Sequence, residues 1–254
     1  MASTRYRWNG SELVDNSGSF DVPLYVGDSF LLREGMVVDY PGHLARFERM
    51  ADEQGLKRPI DDFLAAVTDA LPRSGSHFPR IDLTSRGELE LRVRPAPPLG
   101  HTVVLSTAAV DPRTEPTFKG PDIPALQELR DAAATVGADE PIIVDSQGRI
   151  IDGASTCLVW IRENTLYTPP AEATRLESIT VNAVEQLARD AGYDVATEWT
   201  APGELAGSQV WALNALHGVR GVTSWVSGPQ LNLDESLLDE FRAAYDRLFA
   251  RVGG

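Results

Sequence analysis

Residues 117–153, TFKGPDIPALQELRDAAATVGADEPIIVDSQGRIIDG, carry a lysine, one helical pattern and two strand patterns in succession. The first half has leucines at helical spacing and stops at Gly137, which predicts a helix. The second half has two apolar runs separated by a turn at 146–148, which predicts a β-hairpin. Lys119 therefore lies just upstream of a helix that leads into a hairpin.

The chain before this stretch alternates strands and helices. A hairpin turn is predicted at Gly35, and helices are predicted over 42–55 and 59–71. Strand patterns return before residue 112, and a proline-rich, charged stretch follows. We therefore predict three parts: a smaller N-terminal α+β domain at 1–114, a junction at 115–122, and a larger C-terminal domain at 123–254.

The chain after this stretch continues with both element types. A second hairpin is predicted over 157–170, with its turn at Glu163 and Asn164, and an amphipathic helix over 177–193. Three further strands follow. Residues 233–252 have apolar residues at helical spacing, so we predict one last helix that serves packing.

Composition limits the possible partners. The net charge of −14 and the pI of about 4.7 disfavour nucleic acids and anionic membranes as partners. The single cysteine, Cys157, allows neither an intrachain disulfide nor a cysteine-based zinc site, and we expect no metal. The polar start suggests no signal peptide, and no run approaches the ~20 apolar residues of a membrane span. These features predict a cytoplasmic protein.

Lysine is rare in this chain, since only Lys57 and Lys119 occur among 23 basic residues. A buried lysine with a lowered pKa forms imines with carbonyl compounds. A lysine in a proline-rich loop is more often an exposed charge, and Lys57 in EQGLKRP fits that description. Lys119 lies instead at the predicted domain junction, and clefts between domains commonly hold ligands.

Five segments give Lys119 a specific context. They are HLARF at 43–47, TFKG with GADEPIIVD at 117–145, GRIIDGASTCLVW at 148–160, LYTPP with RLESITVNAVEQLA at 166–188, and VWALNALHGVRGV at 210–222. In this order they resemble the class IV aminotransferases, the fold type IV enzymes that use pyridoxal 5'-phosphate (PLP). The resemblance spans roughly residues 24–225. That group includes branched-chain aminotransferases, D-amino-acid and (R)-amine transaminases, and aminodeoxychorismate lyase.

The resemblance implies roles for three side chains. Lys119 would hold PLP as a Schiff base, and Arg46 would bind the cofactor phosphate. Asp152 stands where the family has the glutamate that contacts the pyridine nitrogen, and Cys157 stands where asparagine is usual. The alternative for Asp152 is a turn aspartate before Gly153.

The phosphate also has candidates in the last two segments. The resemblance gives Ser178, Ile179 and Thr180 a place at the start of a helix, where an anion is favoured. Ser178 replaces the family glycine and is also a good N-cap residue, and these two interpretations are compatible. Asn214 and Ala215 correspond to the pair that caps the phosphate from the other side. Ala215 can offer only its N–H.

The substrate side matches the family less closely. The tyrosine that often follows the family lysine is absent, and GDSFLLREG matches the N-terminal pattern only loosely. Arg92 and Arg94 alternate on one strand face, so either is a candidate for binding a substrate carboxylate. Both are equally well explained as exposed arginines. His217 and Arg33 are weaker candidates.

The resemblance implies an α/β fold with a barrel-like C-terminal domain, and a homodimer. It implies a transaminase that moves an amino group from a D-amino acid or (R)-amine to a keto acid such as pyruvate or 2-oxoglutarate, and the short chain favours this end of the family. The alternatives are an aminodeoxychorismate lyase, a branched-chain L-amino-acid aminotransferase, and a PLP-binding protein without turnover. A change in bound PLP on adding an amine separates the last from the others.

Overall fold

The computed structural model describes residues 3–18, 21–56 and 60–253. In this part of the chain there are five α-helices: α1 Tyr40–Glu53, α2 Asp61–Ala70, α3 Ile123–Ala134, α4 Ile179–Asp190 and α5 Glu235–Asp246. None of them has both the length and the apolar composition needed to cross a membrane. Lys57 lies outside the described residues.

Strands make up most of the rest of the fold. The first nine are β1 Thr4–Trp8, β2 Leu13–Asp15, β3 Leu24–Ser29, β4 Leu32–Arg33, β5 Met36–Val38, β6 Ser76–His77, β7 Arg80–Thr84, β8 Leu89–Val93 and β9 Thr102–Thr107. The others are β10 Glu140–Val144, β11 Ile150–Gly153, β12 Cys157–Arg162, β13 Thr165–Thr168, β14 Asp194–Thr197, β15 Gln209–Asn214, β16 Gly218–Val226 and β17 Phe249–Arg251.

The chain divides into two compact units. Unit 1 comprises residues Met1–Leu99, Phe118–Pro121 and Leu248–Gly254, and unit 2 comprises Gly100–Thr117 and Asp122–Arg247. This division differs from the boundaries predicted from the sequence, because β9 pairs with β10 and β16 and so belongs to unit 2. Neither unit is a single continuous stretch of chain.

Unit 1 contains a five-stranded sheet, in the order β2-β1-β8-β7-β3, and a four-stranded sheet, in the order β17-β5-β4-β6. Helix α1 packs on β3 of the larger sheet. It begins at the N-cap Asp39, whose side chain accepts the N–H of Gly42, and Pro41 occupies its first turn. One face of α1 is buried, and His43, Arg46, Phe47 and Met50 lie on it at helical spacing.

The short segment at 118–121 joins unit 1 at the outer edge of β3. The N–H of Gly27 donates to the carbonyl of Lys119 at 2.5 Å, which fixes the lysine backbone beside the strand. Gly120 has φ +152°, and a Cβ there would be 3.0 Å from Val26 Cα and 3.1 Å from Tyr25 C and O. Only glycine fits this close backbone approach without a shift.

Unit 2 is built on an eight-stranded, curled sheet in the order β11-β10-β9-β16-β15-β12-β13-β14. Its strands carry the main core of the unit, which includes Leu105, Ile142, Trp160 and Ala212. Helix α4 buries Val181, Val184 and Ala188, the face predicted from the sequence, and packs on β15 and α5. Strand β12 pairs with β15, and β11, at the end of the strand order, also contacts β12, so these three strands lie near one another.

The last predicted helix is wrong over its final turn and a half. Helix α5 ends at Asp246, and Phe249–Arg251 forms β17, which pairs antiparallel with β5. The guanidinium of Arg33 lies 4.2 Å from the centre of the Phe249 ring, and Val252 is buried. These tertiary contacts override a local pattern that is typical of a helix.

We predict that Gly120→Ala destabilises the protein by about 1–3 kcal/mol, because the new methyl group meets backbone atoms that have little room to move. Equilibrium denaturation measures this change. The control is Gly87→Ala, which has a positive φ of 74° but no atom within 4 Å of its Cβ. Equal losses in the two variants would contradict a steric cause at Gly120.

Candidate functional site

A buried carboxylate in unit 1, Asp28, binds two side chains of α1. Asp28 lies on β3 and has no solvent exposure. Its Oδ2 accepts from Arg46 Nε at 2.7 Å, and its Oδ1 accepts from Arg46 Nη2 at 2.9 Å and His43 Nδ1 at 2.8 Å. The Arg46 and His43 bonds hold the pKa of Asp28 far below its ordinary value, despite burial. The ionised carboxylate therefore requires that the proton of neutral His43 is on Nδ1.

Lys119 is partly buried next to this cluster. Burial lowers the pKa of its amine from 10.5 to about 8; Asp28 acts to raise it, while Arg46, Arg80 and Arg94 lower it further. Within the described part of the chain the amine makes no hydrogen bond or ion pair. A lysine in this state is readily deprotonated near neutral pH, which is the requirement for a nucleophilic amine.

Arginines crowd the opposite face of the same sheet. The register pairs Arg92 with both Arg5 and Arg80, so the three side chains lie on one face. Two of these arginines form ion pairs with acidic side chains: Arg5 pairs with Glu90 at 2.9 Å, and Arg92 pairs with Asp21. The charge of Arg92 is thus paired with the exposed Asp21, which precedes β3.

Arg94 differs from its neighbours because it has no acidic partner in the residues described. Its Nε donates to the carbonyl of Phe78 at 3.0 Å, and its guanidinium lies 4.7 Å from the centre of the Phe78 ring. Burial and the nearby Arg80 and Arg92 lower the pKa of Arg94. An acidic ligand would relieve this unbalanced positive charge.

We predict that Lys119→Met stabilises the cofactor-free protein at pH 7. The folded pKa of about 8 lies below the ordinary 10.5, so stability rises with pH across that window and the charged lysine costs up to about 3 kcal/mol at pH 7. Denaturation at pH 7 and pH 10.5 measures the gain, which should shrink at the higher pH. Lys57→Met is the control, and an equal pH dependence in wild type and Lys119→Met would contradict the prediction.

Asp152 is the main candidate in unit 2. It lies on β11, 8% exposed, and its Oδ1 has no hydrogen-bond partner in the part of the chain described. Burial raises its pKa to about 6, while Arg113, Arg175 and the Cys157 thiol act to lower it. The carboxyl is therefore mostly ionised at neutral pH. Burial and the neighbouring carboxylate raise the pKa of Cys157, so its thiol stays protonated.

Arg113 provides the nearest positive charge to Asp152. Its Nη1 lies 3.7 Å from Asp152 Oδ2, and its side chain is also held by Asp111 through two bonds of 2.9 Å. Arg113 Nη1 and Arg175 Nε are buried without a hydrogen-bond partner among the described residues. Unpartnered buried polar atoms are rare in folded proteins, and their grouping around Asp152 indicates a place for a polar ligand.

The start of α4 has the arrangement expected from the sequence. Ser178 is its N-cap and accepts the N–H of Val181 at 3.2 Å. Ile179 and Thr180 are buried in the first turn, where N–H groups lack an acceptor within the helix. This helix start can bind an anion through backbone N–H groups.

The Asn214 turn is fixed by its own hydrogen bonds. Asn214 Oδ1 accepts from the N–H groups of Leu216 at 3.1 Å and His217 at 2.8 Å, and its Nδ2 donates to the carbonyl of Ser155 at 3.2 Å. Ser155 in turn donates to the buried Glu140 through its N–H at 2.5 Å and its hydroxyl at 2.7 Å. The Asn214 side chain thus shapes the turn, and Ala215 offers its N–H.

His217 is neutral at pH 7. Burial, together with Arg220 and Arg130, lowers its pKa to about 4. The N–H of Gly100 donates to His217 Nδ1 at 3.1 Å, so the remaining proton is on Nε2. His217 can therefore donate a hydrogen bond but cannot supply a positive charge to a carboxylate.

The structure brings several predicted residues together and adds others. Lys119 and Arg46 share the Asp28 cluster, whereas Arg33 stacks on Phe249 away from it. Sequence reasoning missed two buried charged residues, Asp28 and Arg113. Asp28 follows a glycine within β3, and Arg113 lies two residues after Asp111 in the charged stretch before Lys119. Neither spacing identifies its partner.

Comparison with known proteins identifies the family. The mixed α/β fold with its curled eight-stranded sheet matches the structures of fold type IV aminotransferases. The family model for amino-transferase class IV matches residues 26–225. The chain therefore belongs to the class IV aminotransferases, which are PLP enzymes.

Individual relatives are distant. A putative branched-chain-amino-acid aminotransferase of Methanocaldococcus jannaschii is 27% identical over 110 residues, which cover 41% of this chain and only 38% of that protein. The fold IV-transaminase CpuTA1 from Curtobacterium pusillum is 18% identical, with a TM-score of 0.80 over 96% of this chain and 97% of its own. Escherichia coli branched-chain amino acid aminotransferase is 18% identical, with a TM-score of 0.80 over 100% of both chains. The solved structures show the likeness of fold, and with the family model they confirm the predicted family and fold class.

Proposed function

We propose that this protein is a PLP-dependent transaminase in which Lys119 carries the cofactor. The observation that supports this most directly is the amine of Lys119, which is partly buried, unpaired among the described residues, and shifted to a pKa of about 8. Two side chains suit the cofactor: Arg46 is a buried cation for a phosphate, and Asp152 has a buried oxygen without a hydrogen-bond partner among the described residues.

When bound, PLP would accept the electrons left on a substrate carbon after proton removal. We assign Arg46 and the N–H groups of Ile179 and Thr180 to the phosphate, with the Ala215 N–H as a further donor. We assign the pyridine nitrogen to Asp152, whose negative charge would keep a proton on that nitrogen. Arg113 lies 3.7 Å from the same carboxylate and helps to keep it ionised.

Lys119 would also move the proton in the reaction. A lysine with a pKa near 8 is suited to take a proton from a substrate carbon and to return it, because its pKa is close to the working pH. The nearby arginines keep the amine pKa low, and Asp28 keeps it from falling further. These opposing charges set the proton affinity of the Lys119 Nζ.

For the donor we propose a D-amino acid or an (R)-amine, with pyruvate or 2-oxoglutarate as the acceptor. This choice follows the resemblance of the sequence to the shorter members of the family. Branched-chain L-amino acids are the second candidate, favoured by the name of the Methanocaldococcus jannaschii relative. The homodimer and the cytoplasmic location expected from the sequence stay predictions.

The test is the visible spectrum of the purified protein with PLP, recorded before and after addition of a single donor. We expect a band that is absent in Lys119→Ala and that bleaches with D-alanine or (R)-1-phenylethylamine. L-alanine and L-leucine should leave the band unchanged.

Other outcomes select the alternatives. Bleaching by L-leucine alone would replace the proposed donor with branched-chain amino acids. Release of pyruvate and 4-aminobenzoate from aminodeoxychorismate would identify a lyase. A Lys119-dependent band that no amine changes would indicate binding without turnover, and the absence of any band would refute the role of Lys119.

We propose that Arg94 binds the carboxylate of an amino-acid substrate. Arg94 lacks an acidic partner in the described chain, whereas the neighbouring Arg92 is paired with Asp21. Arg94 also lies close enough to Lys119 to lower the pKa of its amine. A carboxylate held by Arg94 would therefore come close to the amine that acts on the substrate.

We predict that Arg94→Gln raises KM for an amino-acid donor about tenfold or more, because a hydrogen-bonded charge pair is lost. An amine without a carboxylate, such as 1-phenylethylamine, should show little change. Steady-state kinetics with both donors measures the difference, and Arg92→Gln is the matched control. An equal effect on the two donors would show that Arg94 does not read the carboxylate.

A further inference from the structure

The strongest unassigned feature is the Asp28 carboxylate, to which the family resemblance gives no role. Asp28 pairs with Ile81 across β3 and β7, so its side chain points to the face that carries α1. It is fully buried there. Burying a carboxylate is costly, and the cost is offset only where its oxygens receive several hydrogen bonds.

Asp28 holds the guanidinium of Arg46 in one orientation through two hydrogen bonds. Two bonds, from Nε at 2.7 Å and Nη2 at 2.9 Å, join one edge of the guanidinium to the two oxygens of the carboxylate. Such a two-point contact fixes the plane of the guanidinium as well as its position. His43 Nδ1, at 2.8 Å from Oδ1, holds the carboxylate itself from the preceding turn of α1.

The residue before Asp28 is hydrogen-bonded to Lys119. The N–H of Gly27, next to Asp28, donates to the carbonyl of Lys119, so the lysine backbone is anchored one residue from this carboxylate. The negative charge of Asp28 also acts to raise the pKa of the Lys119 amine, against three arginines that lower it. One side chain thus bears on both the lysine and the arginine of unit 1.

We propose that Asp28 is a positioning residue that orients Arg46 toward the cofactor phosphate. The inference rests on the proposed function, because it assigns the phosphate to Arg46. Charge alone predicts the reverse effect: removal of a negative charge next to Arg46 would strengthen its attraction for a phosphate. The sign of the change therefore separates positioning from neutralisation.

The experiment compares binding of PLP with binding of pyridoxal, which lacks the phosphate, in wild type and in Asp28→Asn. We expect Asp28→Asn to weaken PLP binding about tenfold or more and pyridoxal binding much less, so that the preference for PLP falls. Asp82→Asn is the matched control. Asp82 is also fully buried on this sheet, pairs with Arg80 at 2.6 Å, and has no bond to Arg46.

Three results would overturn the proposal. If Asp28→Asn binds PLP as tightly as wild type or more tightly, Asp28 only neutralises the charge of Arg46. If PLP and pyridoxal lose affinity equally in this variant, Asp28 has only a general structural role. An equal loss of the preference for PLP over pyridoxal in Asp82→Asn would show that the effect is not specific to Asp28. If wild type itself shows no Lys119-dependent PLP binding, the proposed function fails first and the inference falls with it.

A measurement on the wild type does not depend on the variant folding. The Arg46 Nε–H should be protected from hydrogen exchange before PLP is added, because Asp28 already holds it in a buried bond. NMR of the guanidinium groups, with Arg46→Lys to assign the signal, reads this directly. Protection that arises only after PLP is added would contradict positioning by Asp28.

Discussion

One backbone hydrogen bond, from the N–H of Gly27 to the carbonyl of Lys119, fixes the position of the lysine backbone in unit 1. It attaches a segment of only four residues, Phe118–Pro121, to the edge of β3. The fit requires glycine at 120, because any side chain would meet the backbone of Tyr25 and Val26. The position of the lysine is therefore set by main-chain contacts, which substitutions of surrounding side chains change little.

Positive charge predominates around the Lys119 amine. Arg46, Arg80 and Arg94 lower the pKa of the Lys119 amine from different elements, and Asp28 acts to raise it. Asp28 is already bound to Arg46 and His43, and Asp82 forms an ion pair with Arg80. The excess positive charge is thus left with Lys119 and Arg94, which suits a protein whose ligands carry phosphate and carboxylate groups.

The sequence predicted most helices and hairpins well, because their apolar periodicity is local. It failed at β17, where Phe249 and Val252 look helical but pair and pack with residues more than 200 positions earlier. It predicted roles for Lys119 and Arg46 through resemblance, but it gave no role to Asp28. An aspartate 18 positions before an arginine has no recognisable spacing, and only the packing of α1 on β3 joins them.

The three-part make-up of unit 1 has a consequence for how the protein is made. Its first ninety-nine residues leave the ribosome early, but its lysine segment and β17 are separated from them by stretches of unit 2. Until the carboxyl-terminal strand is synthesised, β5 lacks one of its two neighbours, and β3 must wait for residue 119. A nascent chain therefore carries an open edge at β5 until β17 has been made, and an open strand edge can pair with other chains.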